Sequence, residues 1–475
     1  MTQPATRSAA ARRSDDLSRV LDAADAGLEA SLDRLFQLMR IESVSTDPAF
    51  APKVRDAADW LAAELGALGF TAEVRPTRGH PMVLARWTGK GAEPRPRVLF
   101  YGHYDVQPAD PVELWEAPAF EPRLVKGPDG QQIVGRGASD DKGQLMTFIE
   151  ACRAWISTTG DLPVDVTILL EGEEETGSPS LEPFLDEAQN DLQADVALVC
   201  DTAMWDLDTP AVTTSLRGMV VDEVTVTGPS RDLHSGFFGG AARNPIHVLS
   251  RIIGDLHGAD GRIQIPGFYD GVEDLPSELK AQWDGLGRTD ADMLSDIGLN
   301  VCAGEAGRSA LEMTWARPAC DVNGIWGGYT AEGSKTVIPA EASAKVSFRL
   351  VGQQDPQAIR QAFRAFVEAR LPADCEARFK AYGANPALSL ATDSEPLRRS
   401  LGALQDEYGK PAVTIGCGGS IPIVGSFKTM LGLDSLMVGF ALENDRIHSP
   451  NEKYELKSFH KGIRSWTRIL EALAG

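Results

Sequence analysis

The sequence predicts an α/β domain interrupted by a smaller α+β domain, and three observations carry that expectation. Between about residues 82 and 200, nearly all-apolar runs alternate with helical stretches, which calls for a sheet buried on both faces. Around Thr213 the pattern changes to alternation of apolar with polar residues, the mark of strands with one wet face. After Asn385 the first pattern returns. At 475 residues the chain is long enough for two such domains. The expected boundaries are 1–214 for the first part of the α/β domain (1–14 a frayed tail), 215–384 for the inserted domain and 385–475 for the second part.

From Ala23 to Met39, the residues Leu28, Leu32, Leu35, Phe36 and Met39 recur at three- and four-residue intervals, which predicts an amphipathic helix. A second helix should run from about Val54 to Leu68 and stop at Gly69, a residue free to take the left-handed conformation that closes helices. MVLARW from Met82, RVLFYGHYDV from Arg97, DVTILLEG from Asp165 and DVALVCDT from Asp195 read as strands, with helices near Gln144 to Trp155 and Leu181 to Glu187 between some of them. In the inserted domain, VVDEVTVTG and SAKVSFRLVG alternate as half-buried strands do, and helices are expected from Asn244 and from Pro356 to Arg370. The segment Asp270 to Arg308, rich in Gly, Asp and Ser, is expected to be an extended excursion. PAVTIG, DSLMVGFAL and a helix from Lys457 to Leu473 close the chain.

Composition excludes several function classes. Lys and Arg number 46 against 68 Asp and Glu, a formal charge of −22, and a field of that sign repels phosphate backbones and anionic lipid. Neither nucleic acid nor a membrane is an expected partner, and no run of 18 apolar residues provides a transmembrane helix. The six cysteines (Cys152, Cys200, Cys302, Cys320, Cys375, Cys417) include no CxxC pair and read as reduced thiols of a cytoplasmic protein. The N-terminal MTQPATRSAAARRSDDLSRV lacks the apolar segment of a secretory signal.

Chemistry concentrates where apolar runs end. His103 follows RVLF, and Asp105 stands two residues on, so in extended chain both side chains point the same way. Alone, such a pair is commonly structural. Three carboxylate sites accompany it: Asp140 and Asp141 in the Gly-rich GRGASDDKG, Glu171 and Glu173 to Glu175 where VTILL runs into EGEEETGS, and Asp201 after VALVC. Acidic clusters are usually solvated loops, but one emerging from a buried strand concentrates negative charge that demands a cation. His448 lies in the polar loop DRIHSPNE. Two His and at least three carboxylates suit zinc, or manganese and cobalt in looser sites; calcium takes oxygen alone. A carboxylate shared by two ions would set them about 3.5 to 4 Å apart, as in two-metal hydrolases.

YGHYDVQP, GRGASDDKG, EGEEETGS, the Asp of VCDT, RDLHSGFFGG, GSKTVIP, GGSIPI and IHSPNE, in this order over residues about 95 to 455, resemble the M20 metallopeptidases, within them the dipeptidases of the carnosinase type. The resemblance implies a zinc-peptidase-like catalytic domain with an inserted lid and dimerisation domain, and a homodimer formed through that domain. It implies two zinc ions per chain, one on His103, Asp140 and Asp201, the other on Asp140, Glu175 and His448. By the same resemblance Glu174 is the general base, Asp105 orients His103, and the Asp140–Asp141 peptide is cis. The resemblance further implies that His234 of RDLHSGFFGG stabilises the tetrahedral oxyanion from the partner subunit, and that Arg349 grips the C-terminal carboxylate of a small peptide, with Thr336, Ser420 and the Gly418–Gly419 backbone completing the pocket.

Two departures bear on substrate preference. Many relatives carry Arg two residues before the Gly-Gly-Ser turn, where this chain has Gly416 followed by Cys417, and Asn323 stands where the animal carnosinases show His. Asp201 resembles the aminopeptidases and dipeptidases; carboxypeptidases and deacylases more often have Glu there. The expected activity is hydrolysis of dipeptides, with an N-acyl- or N-carbamoyl-amino-acid amidohydrolase as the rival enzyme. The rival from another class is an inactive homologue that serves as a binding protein, against which the complete set of ligands, base and orienting residue argues.

Overall fold

The computed structural model describes residues 9–90, 94–295, 297–419 and 421–475, the side chains of 9–14 apart. The chain divides into one unit of residues 1–214, 390–414 and 423–475 and a second of 215–389 and 415–422. Residues 385–389 and 415–422 thus group with the inserted unit, where the expected boundary at 385 leaves them with the α/β part.

The first unit is built on a mixed sheet whose strands run in the order Thr71–Arg75, Met82–Trp87, Asp165–Glu171, Arg97–His103, Val196–Val199, Ser435–Met437 and Ala211–Leu216. Arg97–His103 pairs in parallel with both Asp165–Glu171 and Val196–Val199, and Ser435–Met437 runs parallel to Val196–Val199. The apolar strand runs of the sequence are explained by burial on both faces. Phe100 stacks on Phe148 at 3.9 Å between ring centres, and Trp466 meets both rings edge-on, which locks the helices Lys142–Thr159 and Leu456–Leu473 to the central strand. Helix Ala51–Leu68 ends at Gly69, whose φ of 101° lies in the left-handed region that a Cβ would disfavour.

The expected helix from Ala23 to Met39 is two helices, Ala9–Ala26 and Leu28–Met39, interrupted at Gly27, the poorest helix former short of proline. The first begins inside the stretch expected to be a frayed tail; residues 1–8 of that stretch lie outside the described residues.

In the second unit a four-stranded antiparallel sheet runs Ala319–Gly327, Glu341–Leu350, Gly218–Thr227, Glu376–Asn385. Gly218–Thr227 alternates buried and half-buried residues along its length, and Val220, Val224 and Val226 pack with Phe348 and Phe363 beneath the helices Pro245–Gly254 and Pro356–Glu368. Asp222 occupies a core position of that strand because the Arg364 guanidinium forks onto its two oxygens at 2.7 and 2.9 Å. The excursion Asp270 to Arg308 is not wholly extended. It holds the short helices Ser277–Asp284 and Asp290–Ser295: Trp283 is buried edge-on against Trp315, and Thr289 and Asp292 exchange side-chain to backbone bonds that start the second helix.

Candidate metal centre

Parallel pairing brings the chemistry-bearing residues to one edge of the first unit's sheet. His103 pairs with Glu171, and Tyr101 with both Leu169 and Val199, so three strand ends lie level. His103 is the last residue of its strand, Glu174 and Glu175 begin the single turn Glu174–Thr176 just past Glu171, and Asp201 follows Val196–Val199 by two residues. A small sheet supplies the rest. Lys453–Glu455 pairs with Gln131–Val134, which carries the loop of His448 to the loop of Asp140.

Ligand atoms of His103, Asp140 and Asp201 lie within 4.8 Å of one another, and so do those of Asp140, Glu175 and His448. Asp140 divides its carboxylate: Oδ1 is 3.0 Å from His103 Nε2 and Oδ2 is 2.9 Å from His448 Nε2. His448 Nε2 is also 3.3 Å from Glu175 Oε2, which accepts from Gln107 Nε2 at 2.7 Å. The Asp140–Asp141 peptide is cis.

Asp105 ties the halves together. Its main-chain oxygen and Oδ1 stand 3.1 and 3.5 Å from His103 Nδ1, and its carboxylate accepts the N–H groups of Glu174 and Glu175 and the Ser45 hydroxyl. One buried residue therefore positions both an imidazole, chiefly through its main-chain oxygen, and the Glu174–Glu175 turn, through its carboxylate. Within the acidic run, Glu171 accepts from the Tyr101 hydroxyl and Glu173 from the backbone of His80 and Ser180, which makes these two structural.

The electrostatics ask for a cation. Burial first, then the carboxylates of Asp201, Glu175 and Asp105, push the Glu174 carboxyl up to about 8 against the pull of His103. Burial and Asp140 likewise push Asp201 up to about 8. Although burial opposes it, hydrogen bonds with His103 and His448 hold Asp140 well below the usual carboxylate range. Hydrogen bonds to Asp140 and Glu175 raise half-exposed His448 to about 10. Carboxylates kept protonated by burial and by one another, beside imidazoles kept charged, are the donor set that a divalent cation would relieve.

Several supporting residues escaped the sequence reading. Glu452, fully buried, accepts the N–H groups of Gly137, Ser139 and Asp140 and pairs with Arg136 at 2.9 Å, so it shapes the loop that presents Asp140. Cys200 donates to Asp141 beneath the centre, and Ser139 donates to Asp445. The signals were faint: Glu452 ends the IHSPNE motif, and Gln107 continues the i, i+2 face of His103 and Asp105. Replacing Glu452 by Ala strands the buried Arg136 charge and should cost about 3 to 5 kcal/mol. The readout is a lower urea midpoint, with a smaller drop for Glu452→Gln; an unchanged midpoint would mean the loop does not rest on Glu452.

The remaining expected residues belong to the second unit. His234 pairs across from Val337, Ser235 N–H donates to Thr336 O at 3.0 Å, and His234 Nδ1 accepts from Gly236 N–H, which puts the ring proton on Nε2. Arg349 lies near the end of Glu341–Leu350, opposite Ala319 and Met219, and the Gly419 N–H donates to Cys417 Sγ at 3.3 Å. Ser420 lies outside the described residues.

Parallel strands of a mixed sheet whose ends, with two adjoining loops, gather imidazoles and carboxylates are the architecture of a metal-dependent hydrolase. The chain belongs to peptidase family M20/M25/M40, whose model matches residues 99–472. It is 31% identical over 474 residues to the Cys-Gly metallodipeptidase dug1 of Schizosaccharomyces pombe, covering 96% of this chain and 98% of that protein. The solved structure of the di-peptidase Dug1p from Saccharomyces cerevisiae superposes with a TM-score of 0.80 at 27% identity, covering 96% of this chain and 98% of that one. Human carnosine dipeptidase 1 superposes at 0.79 and 25% identity over the same shares. The chain is therefore a carnosinase-like M20 enzyme, a metal-dependent hydrolase of peptide bonds. Among the described residues no helix is long and apolar enough to cross a membrane.

Proposed function

We propose that the protein is a cytoplasmic dipeptidase with two zinc ions per chain, manganese or cobalt being substitutes, and that its substrates are dipeptides with a free C-terminal carboxylate. The carrying observation is Asp140, whose two oxygens face two different imidazoles. His103, Asp140 and Asp201 would hold one ion, and Asp140, Glu175 and His448 the other; mixed imidazole and carboxylate donors fit zinc. Bound there, the cations supply Lewis acidity toward the scissile carbonyl. Glu174 takes the proton of the attacking water and returns it to the leaving amine. Asp105 keeps His103 and the Glu174 backbone in place while this happens. His234, with its proton on Nε2, donates to the developing oxyanion. Arg349, Thr336, Ser420 and Gly419 receive the substrate's carboxylate. The free state of the six cysteines supports the cytoplasmic location.

The deciding experiment sets the zinc-loaded enzyme against dipeptides, their C-terminal amides and N-acetyl amino acids. Dipeptide acids should lead in kcat/KM by about 10² or more, since a site built for a carboxylate leaves its donors unpaired when the charge is absent. Faster cleavage of N-acetyl amino acids would overturn the dipeptidase reading.

Metal uptake should be linked to pH. In the metal-free protein at pH 7, His448 and Asp201 carry protons that ligation must expel, because their proton affinities are raised to about 10 and about 8. Loading therefore releases protons and tightens as pH rises from 6 to 8, which an indicator dye records; uptake independent of pH would remove these two groups from the ligand set.

A homodimer through the 215–384 domain delivers His234 to the partner's site. Mixing inactive His234→Ala with inactive Glu174→Gln should then restore roughly a quarter of wild-type activity, since about half of the dimers are mixed and each has one intact site. Confirmed heterodimers without recovery would place His234 in its own subunit's site.

A further inference from the structure

Arg217 stands immediately before the strand Gly218–Thr227, and its guanidinium is more than half withdrawn from solvent. Among the described residues it donates to main-chain oxygens: Nε to Gly418 at 3.2 Å, and Nη1 to Met313 at 3.1 Å and Arg317 at 3.5 Å. Its own N–H donates to Cys417 O at 3.2 Å. One residue thus holds the Gly418–Gly419 turn on two bonds and joins it to the end of helix Ala310–Trp315. The fit is close, since a Cβ on Gly418 would come within 2.9 Å of Arg217 Nη2 and 3.0 Å of Thr314 O.

A withdrawn guanidinium normally sits against a carboxylate. Here carbonyl dipoles replace it, and the nearby charge of the same sign is Arg349. Burial first, then Arg349, bring the Arg217 proton affinity down to about 10 against the pull of Cys417 and Asp321, the direction expected of a poorly hydrated cation beside one of its own sign. Arg349 reaches the same neighbourhood through its register opposite Met219, two residues after Arg217. Ahead of the turn stands Gly416, against whose α-carbon Trp315 packs.

We propose that Arg217 is the positioning residue of the carboxylate pocket: it fixes the Gly418–Gly419 turn and sets a second positive charge beside Arg349, so that the pocket selects a substrate with an ionised C-terminus. This rests on the dipeptidase reading above. Arg217 does not touch the reacting atoms. It acts through the turn and through the field.

The test is the ratio of kcat/KM for a dipeptide to that for its C-terminal amide, measured on zinc-loaded wild type, Arg217→Met, Arg217→Lys and Gly418→Ala, with metal content and Tm recorded for each. The expected result is a ratio that falls about tenfold or more in Arg217→Met, mainly through KM for the acid, with partial rescue in Arg217→Lys, which keeps charge but not the fork. Gly418→Ala, which leaves the arginine in place and crowds the turn, should lower the ratio too. If Arg217→Met fails to fold, the Lys and Gly418 variants carry the same comparison. A ratio unchanged in the variants while wild type prefers the acid, with both substrates losing equally, makes Arg217 a structural tie and overturns the proposal. A wild type that does not distinguish acid from amide overturns the carboxylate reading itself, so the two failures are separable.

Discussion

Replacing Glu174 by Gln is expected to lower kcat by about 10² to 10⁴ with both of the proposed ions still bound. The amide keeps the volume of the carboxylate and can hydrogen-bond, but it cannot accept the proton of the attacking water. Its neighbour separates the roles. Glu175 Oε2 faces His448 at 3.3 Å and Gln107 at 2.7 Å, so Glu175→Gln should lose metal first and activity as a consequence. The backbone N–H groups of both residues bond to Asp105 and survive either substitution, so the turn should keep its shape. Kinetics together with elemental analysis of the two variants decide the matter. If Glu174→Gln loses metal and Glu175→Gln keeps it, the assignment within the acidic run is displaced by one residue.

Asp140→Ala should remove both of the proposed ions. The side chain lies between His103 and His448 and offers one oxygen to each, and among the described residues no other belongs to both donor groups. Asp201→Ala, by contrast, removes a donor from the His103 group alone and should mainly weaken that site. Metal-to-protein ratios after dialysis give the readout, with circular dichroism to show that the fold persists. Two tightly held ions in Asp140→Ala would end the shared-carboxylate assignment.

Much of this centre can be read from the chain because parallel sheets present their chemistry in a regular way. The run RVLFYGH is apolar until it must leave the sheet, and His103 is the residue at which it leaves; VTILLE and VALV behave alike, ahead of Glu174, Glu175 and Asp201. Period alone also separates the two units, since Gly218–Thr227 alternates where Arg97–His103 does not. Local patterning fails where a single residue or a distant partner decides. Gly27 splits a helix whose apolar spacing continues across it, and Asp270 to Arg308 gains two short helices from the Trp283–Trp315 contact and the Thr289–Asp292 exchange, which composition does not display.

By itself, the sequence determined the fold class, the strand ends that carry imidazoles and carboxylates, and the family, because periodicity and motif are properties of consecutive residues. Only the tertiary structure decided that Asp140 splits its oxygens between two imidazoles, that Glu452 rather than a nearer residue shapes the Asp140 loop, and that Arg217 meets the Gly418–Gly419 turn. Each of these contacts joins positions far apart in the chain, brought together by strand pairings such as Lys453 with Val134. Such pairings are selected by the burial of whole sheets, and no short-range pattern in the sequence records the energy of that burial.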